Sequence, residues 1–92
     1  MKVFRWDKNK NEWLKEKRGV SFEMAVVLIE QGQLLDILSH PNEAKYGNQK
    51  IAVVNIGGYA YLVPFVEQGE EIFLKTLIPS RKATAKYLGG QT

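Results

Sequence analysis

Three β-type runs separated by tight glycine turns set the strongest limit on what this chain can fold into. Residues 51–56 and 59–66 flank Gly57-Gly58, a two-residue connection suited to hairpin turns that need positive φ. Gln68-Gly69 then turns the chain into a third run over 71–78. An antiparallel meander follows. Pro64 lies inside the middle run; it has no N–H to give a ladder, so it marks a bulge or an edge-facing position. On that run Tyr59, Tyr61, Val63 and Phe65 share one face, and Lys75 on the next run projects opposite to Leu74 and Thr76.

The flanking segments read as helices and short strands. Residues 3–6 form a strand, and Asp7 caps a mostly polar helix running to about residue 17, with Trp13 and Leu14 as its apolar anchors. Arg18-Gly19 ends it, the glycine supplying the left-handed conformation that stops a helix. Ser21 caps a second helix, in which Phe22, Ala25, Val26 and Ile29 recur at the spacing of a buried stripe. Gly32 closes that helix, 34–38 forms a strand, and a polar loop spans 39–48. A last short helix opens at Ser80. The expected order is β-α-α-β-β-β-β-α: an α+β domain with a small antiparallel sheet, the helix pair on one face and a short C-terminal helix.

Ninety-two residues provide for a single domain over 1–92, and 45% apolar residues suit a packed core. With no cysteine there are no disulfides and no thiolate metal sites, and the single histidine makes other common metal sites improbable. No apolar run approaches the ~20 residues needed to span a membrane, and the charged residues 1–5 lack the apolar core of a signal peptide. The expectation is a cytoplasmic protein that needs no metal and no cofactor. Its net charge of +3 is unevenly distributed. Residues 1–18 carry seven Lys/Arg against three Asp/Glu, 19–71 two against seven, and 72–92 four against none. If the two basic ends meet in space they form one basic face, which attracts nucleic acid.

Chemistry concentrates at Ile78-Pro79-Ser80-Arg81-Lys82-Ala83-Thr84. Ser80 is a good N-cap, and Arg81 and Lys82 follow where the helix dipole is already positive, an arrangement that suits an anion such as phosphate. Metal-free RNA cleavage needs a base for the 2′-hydroxyl, a cation for the phosphorane and an acid for the leaving 5′-oxygen. Arg81, Lys82, Tyr87 and His40 are the side chains offered for those roles. Exposed tyrosines beside lysines hold single-stranded RNA, which nominates Lys45, Tyr46, Lys50, Tyr59, Tyr61, Lys75 and Lys86 as RNA-binding residues. The plainer reading of Tyr59 and Tyr61 is sheet packing, and that of His40 is a surface histidine.

Phe4-Arg5-Trp6-Asp7, Lys10-Asn11 and Arg18-Gly19-Val20-Ser21-Phe22-Glu23-Met24-Ala25 resemble the opening of BrnT-type toxins, with Arg18 standing where that family has a histidine. Residues 78–84, followed by Tyr87, are similar to the family's ending. The resemblance spans nearly the whole chain and is most specific in its Gly-Val-Ser-Phe-Glu and Arg-Lys-Ala-Thr segments. It implies a RelE-like fold and the toxin of a type II toxin–antitoxin pair: a metal-independent endoribonuclease that inhibits translation and growth. It also implies a ribbon-helix-helix antitoxin as partner, in a heteromer of 2:2 stoichiometry, and it carries over Arg81 as a functional residue, with Lys82, Lys86 and Tyr87 in the same segment. The alternative is a catalytically degenerate relative that binds an antitoxin and nucleic acid without cutting. A structural or small-molecule-binding domain is a third reading.

Overall fold

The Gly57-Gly58 turn forms as its composition dictates. Both glycines have positive φ, 64° and 88°, and the Gly58 N–H donates to Asn55 Oδ1 at 2.9 Å. The computed structural model describes residues 2–39 and 49–89. In chain order its elements are β1 (Val3–Trp6), α1 (Lys8–Arg18), α2 (Phe22–Glu30), β2 (Leu34–Ser39), β3 (Gln49–Ile56), β4 (Tyr59–Gln68), β5 (Glu71–Leu74), β6 (Ile78–Pro79) and α3 (Arg81–Tyr87).

These elements make an α+β fold with a sheet of order β1-β5-β4-β3-β2, in which β6 also pairs with β4. The sheet is mixed rather than antiparallel throughout: β1 lies parallel to β5, with Val3 opposite Glu71 and Trp6 opposite Leu74. A four-residue strand cannot stand alone, and the free edge of β5 supplies its partner. The run expected over 71–78 is also divided. Both β5 and β6 pair with β4, at residues 65–68 and 61–62 respectively. Between them the Lys75 N–H donates to the Pro64 carbonyl at 2.8 Å. Pro64 therefore turns its donor-less nitrogen toward the interrupted part of the ladder, where its absence costs least.

Burial shows how the layers assemble. Ala52, Val53 and Val54 are buried in succession on β3, so both faces of this strand are covered. On one face Ala52, Val54, Ile56, Val63, Phe65 and Leu74 pack with Leu14 of α1 and Phe22 and Ala25 of α2. On the other, Val53 and Ala60 pack with Ala83 of α3, beside Leu35, Leu38, Leu62 and Tyr87. The basic helices α1 and α3 are thereby set on opposite faces of the sheet, contrary to the single basic face expected from the charge pattern. Arg18 still reaches toward the C-terminal segment, donating from Nη1 to the Leu77 carbonyl, and Arg5 of β1 pairs with Glu71 on the α3 side.

Asn11 joins the two N-terminal helices. It is 3% exposed; its Oδ1 accepts from the Phe22 N–H and its Nδ2 donates to Glu23 Oε1, each at 2.8 Å. Gly19 stops α1 at φ 69°, and the Ser21 side chain caps α2 on the Met24 N–H. Trp13 departs from the expectation of an apolar anchor. It is 40% exposed, with Lys10 Nζ 4.4 Å and the Arg18 guanidinium 5.2 Å from the ring centroid. Leu14 alone reaches the core, because neighbouring positions on a helix point about 100° apart.

Replacing Asn11 with alanine strands the buried Phe22 N–H, at a cost of about 2 kcal/mol. In a domain of this size that lowers the melting temperature by roughly 8–16 °C. Thermal melts of Asn11→Ala followed by circular dichroism check this, and a shift within 2 °C, about the precision of such melts, would deny the clamp its role.

Candidate nucleic-acid interface

The C-terminal segment is held to the sheet by its small polar residues. Ser80 adopts extended backbone and its hydroxyl accepts from the Ala83 N–H at 3.0 Å, as expected of an N-cap. The Ser80 N–H donates to the Ala60 carbonyl at 3.0 Å. Thr84 Oγ1 accepts from the Ala60 N–H at 2.8 Å and donates to the Ser80 carbonyl at 2.7 Å. Ala60 thus has both backbone groups engaged by one short helix, and Ala83 fits beneath that helix at 9% exposure. Within the Ser-Arg-Lys-Ala-Thr segment, serine, alanine and threonine serve the architecture. Arg81 and Lys82 are left exposed.

Around this helix the cations outnumber the available carboxylates. Arg81, Lys82 and Lys86 belong to α3. Lys75 lies on the same side of the sheet, beside Val66 and Phe73. None of these four makes a salt bridge among the described residues. The acidic groups on this side are already committed: Glu71 pairs with Arg5 at 3.0 Å, and Asp36 accepts from the Tyr87 hydroxyl at 2.6 Å. The short helix carries little dipole, so the basic side chains themselves are the operative feature for an anion.

The Tyr87–Asp36 bond fixes both protonation states. The Tyr87 hydroxyl, the Ile37 N–H and the nearby Lys86 hold the Asp36 carboxyl below its usual range. The same bond, with partial desolvation and the carboxylate's charge, pushes the Tyr87 phenol up. Tyr87 is therefore held as a proton donor and is poorly suited to the role of a base. Its ring also receives Lys86 Nζ at 5.2 Å from the centroid. Between α3 and strands β2 and β4 an open recess of about 200 Å³ is lined by Leu38, Leu62, Ser80, Lys82, Ala83, Lys86 and Tyr87.

The remaining nominated residues scatter. His40, Lys45 and Tyr46 lie outside the described residues. Tyr61 shares a face with Val63 and Phe65, as expected, but that face is the one beneath α1 and α2, and Tyr61 packs against their core. Tyr59 meets it edge-on at 6.1 Å and is 37% exposed. Lys50 pairs across from Phe65 on that same helix-covered side. Tyr59, Tyr61 and Lys50 are thus separated by the sheet from α3, because strand alternation sends odd and even residues of β4 to opposite faces. Sequence reasoning missed Leu38, Leu62 and Asp36. The apolar pattern of β2 and β4 could have placed the two leucines, whereas nothing local marks Asp36 as the partner of a tyrosine 51 positions away.

Among the described residues no group of three or more His, Cys, Asp or Glu side chains is placed to hold a metal ion, and no helix is long and apolar enough to cross a membrane. Compared with known families and curated proteins, the chain matches no family model and no curated sequence.

Stability linkage gives the Tyr87–Asp36 bond a testable sign. Stability from Asp36 is present above its unfolded pKa of about 3.9 and is lost as pH falls through the lower folded value. Stability from Tyr87 is present below its unfolded value of about 10 and is lost as pH rises through the higher folded one. Tyr87→Phe is expected to lower the melting temperature at neutral pH, by a gap that narrows in acid as Asp36 protonates. Melts of both proteins across the acid range measure it; a gap that stays constant there would mean the bond contributes nothing.

Proposed function

We propose that this protein is an RNA-directed toxin of the RelE-like kind, acting as a metal-independent endoribonuclease from the α3 side of its sheet. One observation carries the reading: Arg81, Lys82, Lys86 and Lys75 share a side on which the carboxylates Asp36 and Glu71 already have partners. Such a surface suits a polyanion, and among the described residues none of its four cations is held in a salt bridge that a phosphate would have to break. The resemblance in residues 3–25 and 78–87 supports RNA over DNA and supports cleavage.

In this reading the 2′-hydroxyl oxygen attacks the adjacent phosphorus as its proton passes to solvent water, and the bond to the 5′-oxygen breaks as that oxygen takes a proton from water, leaving a 2′,3′-cyclic phosphate and a 5′-hydroxyl. Arg81 neutralises the developing phosphorane charge, and Lys82 and Lys86 hold the flanking phosphates. Tyr87, with its proton retained toward Asp36, positions the substrate and does not take the 2′-hydroxyl proton. The same basic side would be covered by an antitoxin of the ribbon-helix-helix class, in a 2:2 heteromer, when the toxin is silenced; a cationic face favours rapid association with an acidic segment. A second reading, binding without cleavage, is favoured by the commitment of the Tyr87 hydroxyl to Asp36.

Induced expression should arrest growth, and the purified chain should cut single-stranded RNA with a chelator present. Arg81→Ala is expected to abolish both while changing stability by less than about 0.5 kcal/mol, since the side chain is exposed. Lys82→Ala should retain cutting, weaken RNA binding and reduce the salt slope by about 0.7. RNA that is bound but left intact by the wild-type chain would establish the second reading. If the chain neither binds nor cuts RNA, both readings fail.

A further inference from the structure

The recess beside α3 has a composition that the phosphate-binding role does not use. Leu38 from β2, Leu62 from β4 and Ala83 from α3 give it apolar walls, and the Tyr87 ring stands among them. Lys82 and Lys86, one helical turn apart with Cβ atoms roughly 5–6 Å from each other, line the same opening. Its other polar side chains are already held: Ser80 Oγ by the Ala83 N–H and the Tyr87 hydroxyl by Asp36. An occupant must therefore present a flat or apolar body to the walls and negative charge to the lysines. Lys75 and Arg81 extend the positive charge beyond the opening, which favours a ligand whose anionic groups continue past the recess.

We infer that the recess between α3 and strands β2 and β4 is a subsite for one unstacked nucleobase of a single-stranded RNA, with its flanking phosphates on Lys82 and Lys86. This rests on the RNA reading above and adds to it a base-binding subsite. Base–aromatic stacking is tolerant of sequence because every base has a π-face. With both wall hydroxyls engaged within the protein, the subsite accepts a base by shape and stacking rather than by its hydrogen-bonding edge. Lys86, which lies over the Tyr87 ring at 5.2 Å, exchanges that position for a phosphate when the base enters. The protein accordingly requires an unpaired nucleotide while being nearly indifferent to its identity.

The test uses the full chain and labelled oligoribonucleotides of about ten residues, either all-adenine, all-uracil or abasic with the same phosphates, with binding read by fluorescence anisotropy. The adenine and uracil oligomers should bind with similar affinity, each about tenfold more tightly than the abasic one. Leu38→Trp, whose indole fills the recess, should reduce both to the abasic level while leaving the circular dichroism spectrum unchanged. Equal binding of abasic and base-bearing oligomers by the wild-type chain would remove the subsite and leave the RNA reading standing. A base preference that survives Leu38→Trp would place stacking elsewhere and overturn the assignment. If no oligomer binds, the RNA reading fails and the subsite with it; binding of an acidic peptide alone in that case would assign the surface to a protein partner.

Discussion

Two-sided burial of β3 is the constraint on which the remaining architecture depends. Ala52, Val53 and Val54 are consecutive, and none is more than 5% exposed. Consecutive strand residues point to opposite faces, so a helix pair on one side of the sheet cannot shelter all three. A second layer is required, and α3, which follows the meander, supplies it. Because α3 has only seven residues, its apolar area is small. The hydrogen bonds that tie Ala60 to Ser80, whose N–H donates to its carbonyl, and to Thr84, whose hydroxyl accepts from its N–H, add the positional control that such limited packing cannot give.

That constraint also determines the charge distribution. The polar helix α1 must bury Leu14 against one face, and α3 must bury Ala83 against the other. The basic residues of the two helices are parted by the sheet, while Arg5 on β1 pairs with Glu71 on the α3 side. Each side then has its own electrostatic arrangement. On the α1 side, Lys10 and Arg18 flank Trp13, a use of cationic side chains that covers an exposed indole. On the α3 side, tyrosine and arginine engage the two carboxylates, and the lysines keep their charge available.

Local features of this fold were legible in the residues and long-range ones were not. The Gly57-Gly58 turn, the caps at Asp7, Ser21 and Ser80, and the stop at Gly19 depend on nearest-neighbour geometry, and each lies where its residue type requires. The parallel pairing of β1 with β5 depends on which sheet edge remains free once the meander has formed, a property of the assembled sheet. The burial of Tyr61 illustrates the same limit. Alternation correctly groups it with Val63 and Phe65, but only the position of the helices decides whether that face becomes core or platform. The adjacent apolar residues Val53 and Val54 were the available sign that both faces would be covered, and hence that the basic ends would separate.

The motifs that support the resemblance divide in the same physical way. Asn11, Gly19, Ser21 and Glu23 build the connection between α1 and α2, where Asn11 satisfies the buried Phe22 N–H and draws in the Glu23 carboxylate. The first cause of the lowered Glu23 pKa is that bond from Asn11, so this acidic residue of the motif is explained by architecture. Ser80, Ala83 and Thr84 are likewise accounted for by the hold of α3 on β4. Arg81, Lys82 and Lys86 are not: they are exposed, they form no salt bridge among the described residues, and two of them edge an apolar recess. Arg81 is exposed, and neither packing nor a hydrogen bond among the described residues ties its side chain to the rest of the fold. A side chain that supports no part of the fold is best explained by what it meets outside the protein, which makes α3 the element where folding and function can be separated by mutation.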